Sequence, residues 1–167
     1  SFDPVFIGLL LSYVFLDGNL GNYSIIAFLT YFAFRMYTRI RAARTLENIF
    51  GLFYNKISIL PSLKGLYKWQ FILEKDDCSI IGEMSFTSNK IKMLKYLKNF
   101  KEEKVEHVLS SEIGRFFREF TPFLHVSCEK NGDRKKYVLT DLRYFLARKF
   151  LHHAVVLTDE NDTVIEQ

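Results

Sequence analysis

The sequence predicts an α+β protein with an N-terminal transmembrane helical hairpin, followed by a small, mostly antiparallel sheet packed on one or two helices. Two observations predict this. The first forty residues are almost free of charge, and the rest of the chain has short apolar runs separated by turn residues. We therefore expect residues 1–51 to form a membrane hairpin with a basic amphipathic exit helix, and residues 52–167 to form a cytoplasmic α+β domain.

The N-terminal segment is apolar over an unusual length. Two apolar runs, Val5–Leu16 and Tyr23–Phe34, flank a polar turn at residues 17–22. The second run is followed by four arginines, Arg35, Arg39, Arg41 and Arg44. An apolar hairpin that ends in basic residues is typical of a membrane protein whose basic end faces the cytoplasm. The alternative is a helical hairpin buried in a soluble core, although soluble helices usually have a polar face.

The net charge narrows the classes of partner, and the cysteine content predicts the state of the two thiols. The net charge of +4 suits an anionic membrane surface at least as well as nucleic acid. The lysines are not interleaved with a stacking pattern of aromatic residues, so we expect no nucleic-acid partner. Cys78 and Cys128 are predicted to be free thiols, because two cysteines in a basic chain without a secretion signal seldom form a disulfide.

The remainder of the chain contains seven segments that predict strands. They are Asn55–Leu60, Leu66–Leu73, Ser79–Phe86, Phe123–Glu129, Lys136–Phe145, His153–Thr158 and Thr163–Glu166. The Asn131-Gly132 dipeptide between two of them is the strongest short-range signal for a hairpin. We expect six or seven strands in all.

Two further segments predict helices. Residues 87–89 offer N-cap side chains for a helix from Lys90, whose lysines could contact anionic lipid headgroups or form a solvated face. These lysines are Lys90, Lys92, Lys95 and Lys98. Residues 103–120 predict a second helix, because its apolar residues recur at steps of three and four and Pro122 ends it. We expect this helix to pack on the sheet.

No pattern in the chain predicts a catalytic residue, a cofactor site or a metal ligand set. His152 and His153 are adjacent, so on a strand they point to opposite faces, and His125 and Cys128 are split in the same way. The sequence has no CxxC pair, HExxH motif, glycine-rich phosphate loop or GxSxG elbow.

The most distinctive string is Thr140–Phe145. On a strand, Asp141 and Arg143 would share one face, and Leu142 and Tyr144 would share the other. We expect an ion pair on the sheet surface that contributes ~0–1 kcal/mol. A ligand-binding pair is the alternative.

Several short strings together resemble a known family. These are an apolar segment followed by Pro61 and Trp69, then Phe120-Thr121-Pro122-Phe123, then Asp141-Leu142-Arg143-Tyr144. The chain resembles the C-terminal part of the bacterial membrane-bound hydrolases that are thought to be metal-dependent, often described as LexA-regulated inner-membrane hydrolases. Their metal-binding segments lie upstream of the part that this chain resembles.

The resemblance implies a parent protein in the bacterial inner membrane, with a hydrolytic divalent-metal site outside this chain. It gives Trp69, Asp141, Arg143 and Tyr144 as motif positions of unknown role, and it assigns no catalytic, cofactor-binding or metal residue here. The chain would then be the non-catalytic C-terminal portion of an integral-membrane protein. The alternative function is a membrane-anchored binding module that recruits a partner or anionic lipid.

Overall fold

A computed structural model gives the fold of most of the chain. It describes residues 7–8, 11, 19–62, 65, 67–88, 90–99, 105–131, 134–146, 148–159 and 163–166. Within these ranges the chain forms a long N-terminal helix, two four-stranded antiparallel sheets and a two-stranded ribbon, with two short helices between the sheets.

The predicted transmembrane hairpin is wrong. Asn19–Phe50 is one continuous helix of 32 residues, α1, which includes the second half of the predicted turn as well as the second apolar run and the predicted exit helix. The first run, Val5–Leu16, lies outside the described residues except for residues 7, 8 and 11, which are helical. The C-terminal half of α1 packs on a sheet through Ala42 and Leu46, which are buried among apolar side chains.

Among the described residues, no helix combines the length and the apolar character that crossing a bilayer requires.

The first sheet is a meander in the order β1-β2-β3-β4. Its strands are β1 (Lys56–Pro61), β2 (Lys68–Lys75), β3 (Cys78–Ser85) and β4 (Ile91–Lys98). One face carries Trp69, Phe71 and Leu73, which pack against α1. The opposite face carries Ile72 and Ile81, so side chains alternate along β2 as the strand geometry requires.

The segment from Lys90 is strand β4, so the predicted lysine-rich helix is wrong. Its apolar residues are spaced by three, which mimics a helix. The register with β3 shifts between Ile81 and Gly82, and the extra residue, Leu94, resets the alternation. Ile91 therefore joins the cluster against α1, while Leu94 and Leu97 join the cluster on the opposite face.

The predicted helix over residues 103–120 is divided in two. The helices are α2 (Glu106–Leu109) and α3 (Glu112–Phe120). The chain breaks at Ser111, whose hydroxyl donates to the Val108 carbonyl and accepts from the Gly114 amide, a bond of 3.1 Å that caps α3. Gly114 lies so close to the Val108 carbonyl that no Cβ fits there.

The second sheet is antiparallel in the order β10-β9-β6-β5. Its strands are β5 (Leu124–Asn131), β6 (Arg134–Asp141), β9 (His153–Thr158) and β10 (Val164–Glu166), and the ribbon pairs β7 (Phe145–Leu146) with β8 (Lys149–Phe150). Part of the predicted stripe covers this sheet, because Val105, Val108, Leu109 and Phe117 are buried in its core. Phe116 and Phe120 of that stripe are exposed. The described residues form ten strands, where six or seven were expected.

Candidate functional site

Asp141 and Arg143 form a buried ion pair, not a pair on the sheet surface. The Asp141 side chain has no exposed surface, and the Arg143 side chain is 25% exposed. Arg143 Nε donates to both carboxylate oxygens at 3.0 and 2.9 Å, and Nη2 donates to Oδ2 at 2.6 Å. The hydrogen bonds to Asp141 raise the pKa of Arg143. The geometry is bidentate and charge-assisted, the strong form of this interaction.

The pair closes a turn where a continuous strand was expected. Strand β6 ends at Asp141, whose Oδ1 accepts a hydrogen bond from the Arg143 backbone amide at 3.0 Å. An aspartate side chain that bonds the backbone two residues ahead favours a turn over a continuing strand. As a result Leu142 leaves the second sheet and points to the first.

Leu142 is the joint between the two sheets. Its side chain is buried with Ile72 and Ile81 of the first sheet. Its amide donates to the Phe123 carbonyl at 3.0 Å, and its carbonyl accepts from the Gln70 side chain at 3.3 Å. The Asp141–Arg143 pair therefore holds the backbone that connects the two sheets, which is a structural role.

Tyr144, the last residue of the Asp141–Tyr144 string, lies in a small aromatic cluster beside this pair. Its ring centroid lies 4.5 Å from that of His152, and the Phe120 ring is 6.0 Å from His152. The Arg143 guanidinium lies 5.4 Å from the rings of Phe120 and Tyr144. The structure thus brings together Asp141, Arg143 and Tyr144.

Trp69 belongs to a different site. It lies on the face of the first sheet that packs against α1, and it is 4% exposed. The guanidinium carbon of Arg35 lies 4.3 Å from the centre of the Trp69 ring, a cation–π contact. The indole Nε1–H is buried and has no acceptor among the described residues.

The outer surface of α1 is apolar where a water-exposed helix would be charged. Its inner stripe, which includes Ser24, Phe28, Thr38 and Leu46, is sheltered. The opposite side exposes the large apolar side chains Tyr23, Ile25, Ile26, Leu29, Phe32, Met36, Tyr37 and Ile40. We call these eight residues the α1 apolar face. Contiguous exposed apolar surface of this kind usually marks a site of association with a protein or a membrane.

Three exposed arginines surround the C-terminal end of the α1 apolar face. At ~100° per residue, Arg39 and Arg41 lie on its two flanks and Arg44 lies near its midline one turn further on. We call these three residues the arginine collar. Apolar and basic side chains are therefore adjacent on the outer surface of α1.

The four lysines predicted to contact lipid headgroups do not lie together. Cross-strand pairing places Lys92 opposite Glu83 and Lys95 opposite Ile81, on the face of the first sheet that points away from α1. Lys98 pairs with Cys78 beyond the bulge and lies on the α1 side. The strand therefore splits the set, and the contact of these lysines with lipid stays a prediction.

Two depressions lie beside these elements. The larger, of about 660 Å³, separates the first sheet from α3 and β5. Much of its polar lining is already paired: Lys56 Nζ lies 2.9 Å from Glu74 Oε2, and Asn55 Nδ2 donates to Asp76 Oδ1 at 2.8 Å. His125 also lines it, and burial lowers its pKa from 6.5 to about 4. Its imidazole is neutral at pH 7.

The smaller depression, of about 380 Å³, is a groove between α1 and β1. It is lined by Trp69 of β2 and by Arg35 and Arg39 of α1. Phe32 of the α1 apolar face also lines it, so the groove is continuous with that face. We call it the Trp69 groove.

No group of three or more His, Cys, Asp or Glu side chains among the described residues could hold a metal ion. Cys78 and Cys128 are free, as predicted.

Residues 103–167 match a family described as the YfhP C-terminal alpha/beta plait domain. The matched segment contains α2, α3 and the second sheet. No curated protein matches the chain, and no solved structure does.

The plait match contradicts the resemblance to membrane-bound metal-dependent hydrolases. It covers Asp141–Tyr144, the most specific string on which that resemblance rested, and also Phe120–Phe123. The family description names an α/β plait and no hydrolase. The structure explains how the strings misled, because Asp141, Arg143 and Leu142 serve the joint between the sheets.

Sequence reasoning missed the Trp69 groove. Arg35 was interpreted only as part of the basic end of a membrane helix. The spacing of Arg35 and Arg39 by four residues was the available signal, since such residues lie on one side of a helix. Their meeting with Trp69 depends on how α1 lies on the sheet, which the sequence does not show.

Proposed function

We propose that this chain is a membrane-surface binding module whose α1 apolar face rests in the interface of an anionic bilayer, at the cytoplasmic side of a cell membrane. The observation that carries the proposal is the α1 apolar face, which has no charged side chain over residues 23–34. With the hydrolase kinship removed, binding is the function that these surfaces support best.

The chemistry of the helix favours a bilayer as the occupant of this face. Tyr23 and Tyr37 lie near its two ends, where amphipathic rings suit the level of the headgroups. The arginine collar adds positive charge, and each basic residue near an anionic surface contributes about 1 kcal/mol. The net charge of +4 acts in the same direction.

Co-sedimentation of the chain with vesicles tests the apolar contribution. We expect binding to phosphatidylglycerol-containing vesicles at low salt. Leu29→Gln should weaken it about tenfold, because a Leu side chain moved out of water contributes about 1.5–3 kcal/mol and Leu29 is 57% exposed. Leu151, which is 51% exposed beyond β8, supplies the matched control. Leu151→Gln should leave binding unchanged, and an equal loss for the two variants would contradict the proposal.

The charge contribution is tested with two pairs of variants. Arg39→Gln with Arg41→Gln should weaken binding about thirtyfold, at about 1 kcal/mol per residue. Lys92→Gln with Lys95→Gln removes the same charge from the other face of the first sheet. A larger loss from the lysine pair would assign the headgroup contact to β4, as the sequence first suggested.

A further inference from the structure

The Trp69 groove has the chemistry of an anion site with an apolar side. Arg35, Arg39 and Trp69 line a space that is also lined by the apolar residues Ile59 and Pro61. Guanidinium groups are the preferred partners of phosphate oxygens. The groove lies at the C-terminal end of the apolar face, where a headgroup would sit if the acyl chains met the helix.

The indole N–H of Trp69 is an unusual feature beside the groove. Buried polar groups in native proteins nearly always have a hydrogen-bond partner, and an exception requires an explanation. Trp69 is 4% exposed, and its Nε1–H has no acceptor among the described residues.

The geometry points to the Trp69 groove as a binding site for the phosphate headgroup of an anionic glycerophospholipid. Arg39 supplies charge-assisted hydrogen bonds, and the cation–π contact of Arg35 holds its guanidinium over the Trp69 ring. Phe32 leads from the groove to the α1 apolar face, along which the acyl chains extend. The inference rests on the proposed function and adds a preference for one class of lipid.

The chain carries its own reporter, because Trp69 is its single tryptophan. Titration with dihexanoyl phosphatidylglycerol below its micelle concentration should produce a saturable change in Trp69 emission. Dihexanoyl phosphatidylcholine and inorganic phosphate should each bind at least about tenfold more weakly, since the first lacks net charge and the second lacks acyl chains. Equal binding of phosphatidylcholine would overturn the anionic preference, and equal binding of inorganic phosphate would overturn the lipid assignment.

Arg39→Gln should weaken the short-chain lipid about tenfold, while Arg115→Gln, on the exposed surface of α3, should not. A thermal melt of each variant checks that the fold is kept. If phosphatidylglycerol vesicles bind the native chain but the short-chain lipid gives no saturable signal, the groove assignment fails and the membrane module stands. If the vesicles do not bind either, the proposed function itself fails.

Discussion

The two sheets are covered by helices with different outer surfaces. Helix α3 covers the second sheet with Phe117, while Glu112, Arg115, Arg118 and Glu119 face water. Helix α1 covers the first sheet with Ala42 and Leu46, and its N-terminal half turns apolar side chains outward. Packing on a sheet explains the inner surface of both helices. It does not explain the large apolar side chains that α1 turns outward.

The difference separates what holds the fold from what serves a partner. The charged side chains of α3 keep most of its outer surface in water at no cost to its core, although Phe116 and Phe120 are also exposed. The α1 apolar face is largely exposed, although the Tyr37 ring lies 6.2 Å from that of Phe86 and Phe32 lines the Trp69 groove. The face therefore indicates association with something outside the chain. We therefore expect substitutions at the joint and in the cores to lower the stability of the fold. We expect substitutions on the outer surface of α1 to weaken association with a partner.

The largest effect on stability is expected at the joint between the sheets. Asp141→Ala removes the acceptor of the Arg143 guanidinium and of the Arg143 backbone amide. The loss of these charge-assisted hydrogen bonds should cost about 3 kcal/mol. Denaturant unfolding measures the change. Lys136→Ala is the control, because its exposed pair with Glu129 spans 4.0 Å and should contribute about 0–1 kcal/mol. A cost below ~1 kcal/mol for Asp141→Ala would show that the pair does not hold the joint.

A pH effect of intermediate size is expected from His125. Burial lowers its pKa from 6.5 to about 4, so the unfolded chain binds this proton more readily than the folded chain. Stability is therefore complete above pH 6.5 and falls as the pH drops towards 4, by about 2 kcal/mol at pH 5. His125→Gln should flatten the profile of unfolding free energy against pH, whereas substitution of the exposed His153 should not. An unchanged profile in His125→Gln would remove His125 as the cause.

The smallest effect on stability is expected on the α1 apolar face. Leu29→Gln should change the free energy of unfolding by less than about 0.5 kcal/mol, as is usual for surface substitutions. Leu151→Gln should change the free energy of unfolding by a similarly small amount. A loss of 2 kcal/mol or more at Leu29 alone would mean that this face packs within the protein, and the contrast between the two helices would disappear.

The sequence predicted those elements whose signals are local. His153–Thr158 was expected as a strand with the bounds that β9 has, because an apolar alternating run ends at turn residues. The burial of Val105, Val108, Leu109 and Phe117 followed from their helical spacing. The two free cysteines were also expected.

Features that depend on tertiary context were not predicted. The bulge at Leu94 makes a strand resemble a helix in its apolar spacing, and a bulge is visible only once β3 and β4 are paired. The turn at Asp141 depends on its side chain bonding the Arg143 amide, where the alternating pattern favoured a strand. From sequence alone, an apolar helix that packs on a sheet also resembles an apolar helix in a bilayer. This similarity led to the wrong prediction of a transmembrane hairpin.

The placement of α1 in a lipid interface is tested most directly by the depth of a single side chain. A Leu29→Trp variant, mixed with vesicles of phosphatidylglycerol brominated on its acyl chains, should be quenched more strongly than the native chain. A Leu151→Trp variant should show no such excess. Equal quenching of the two variants, or no excess quenching at position 29, would contradict the account.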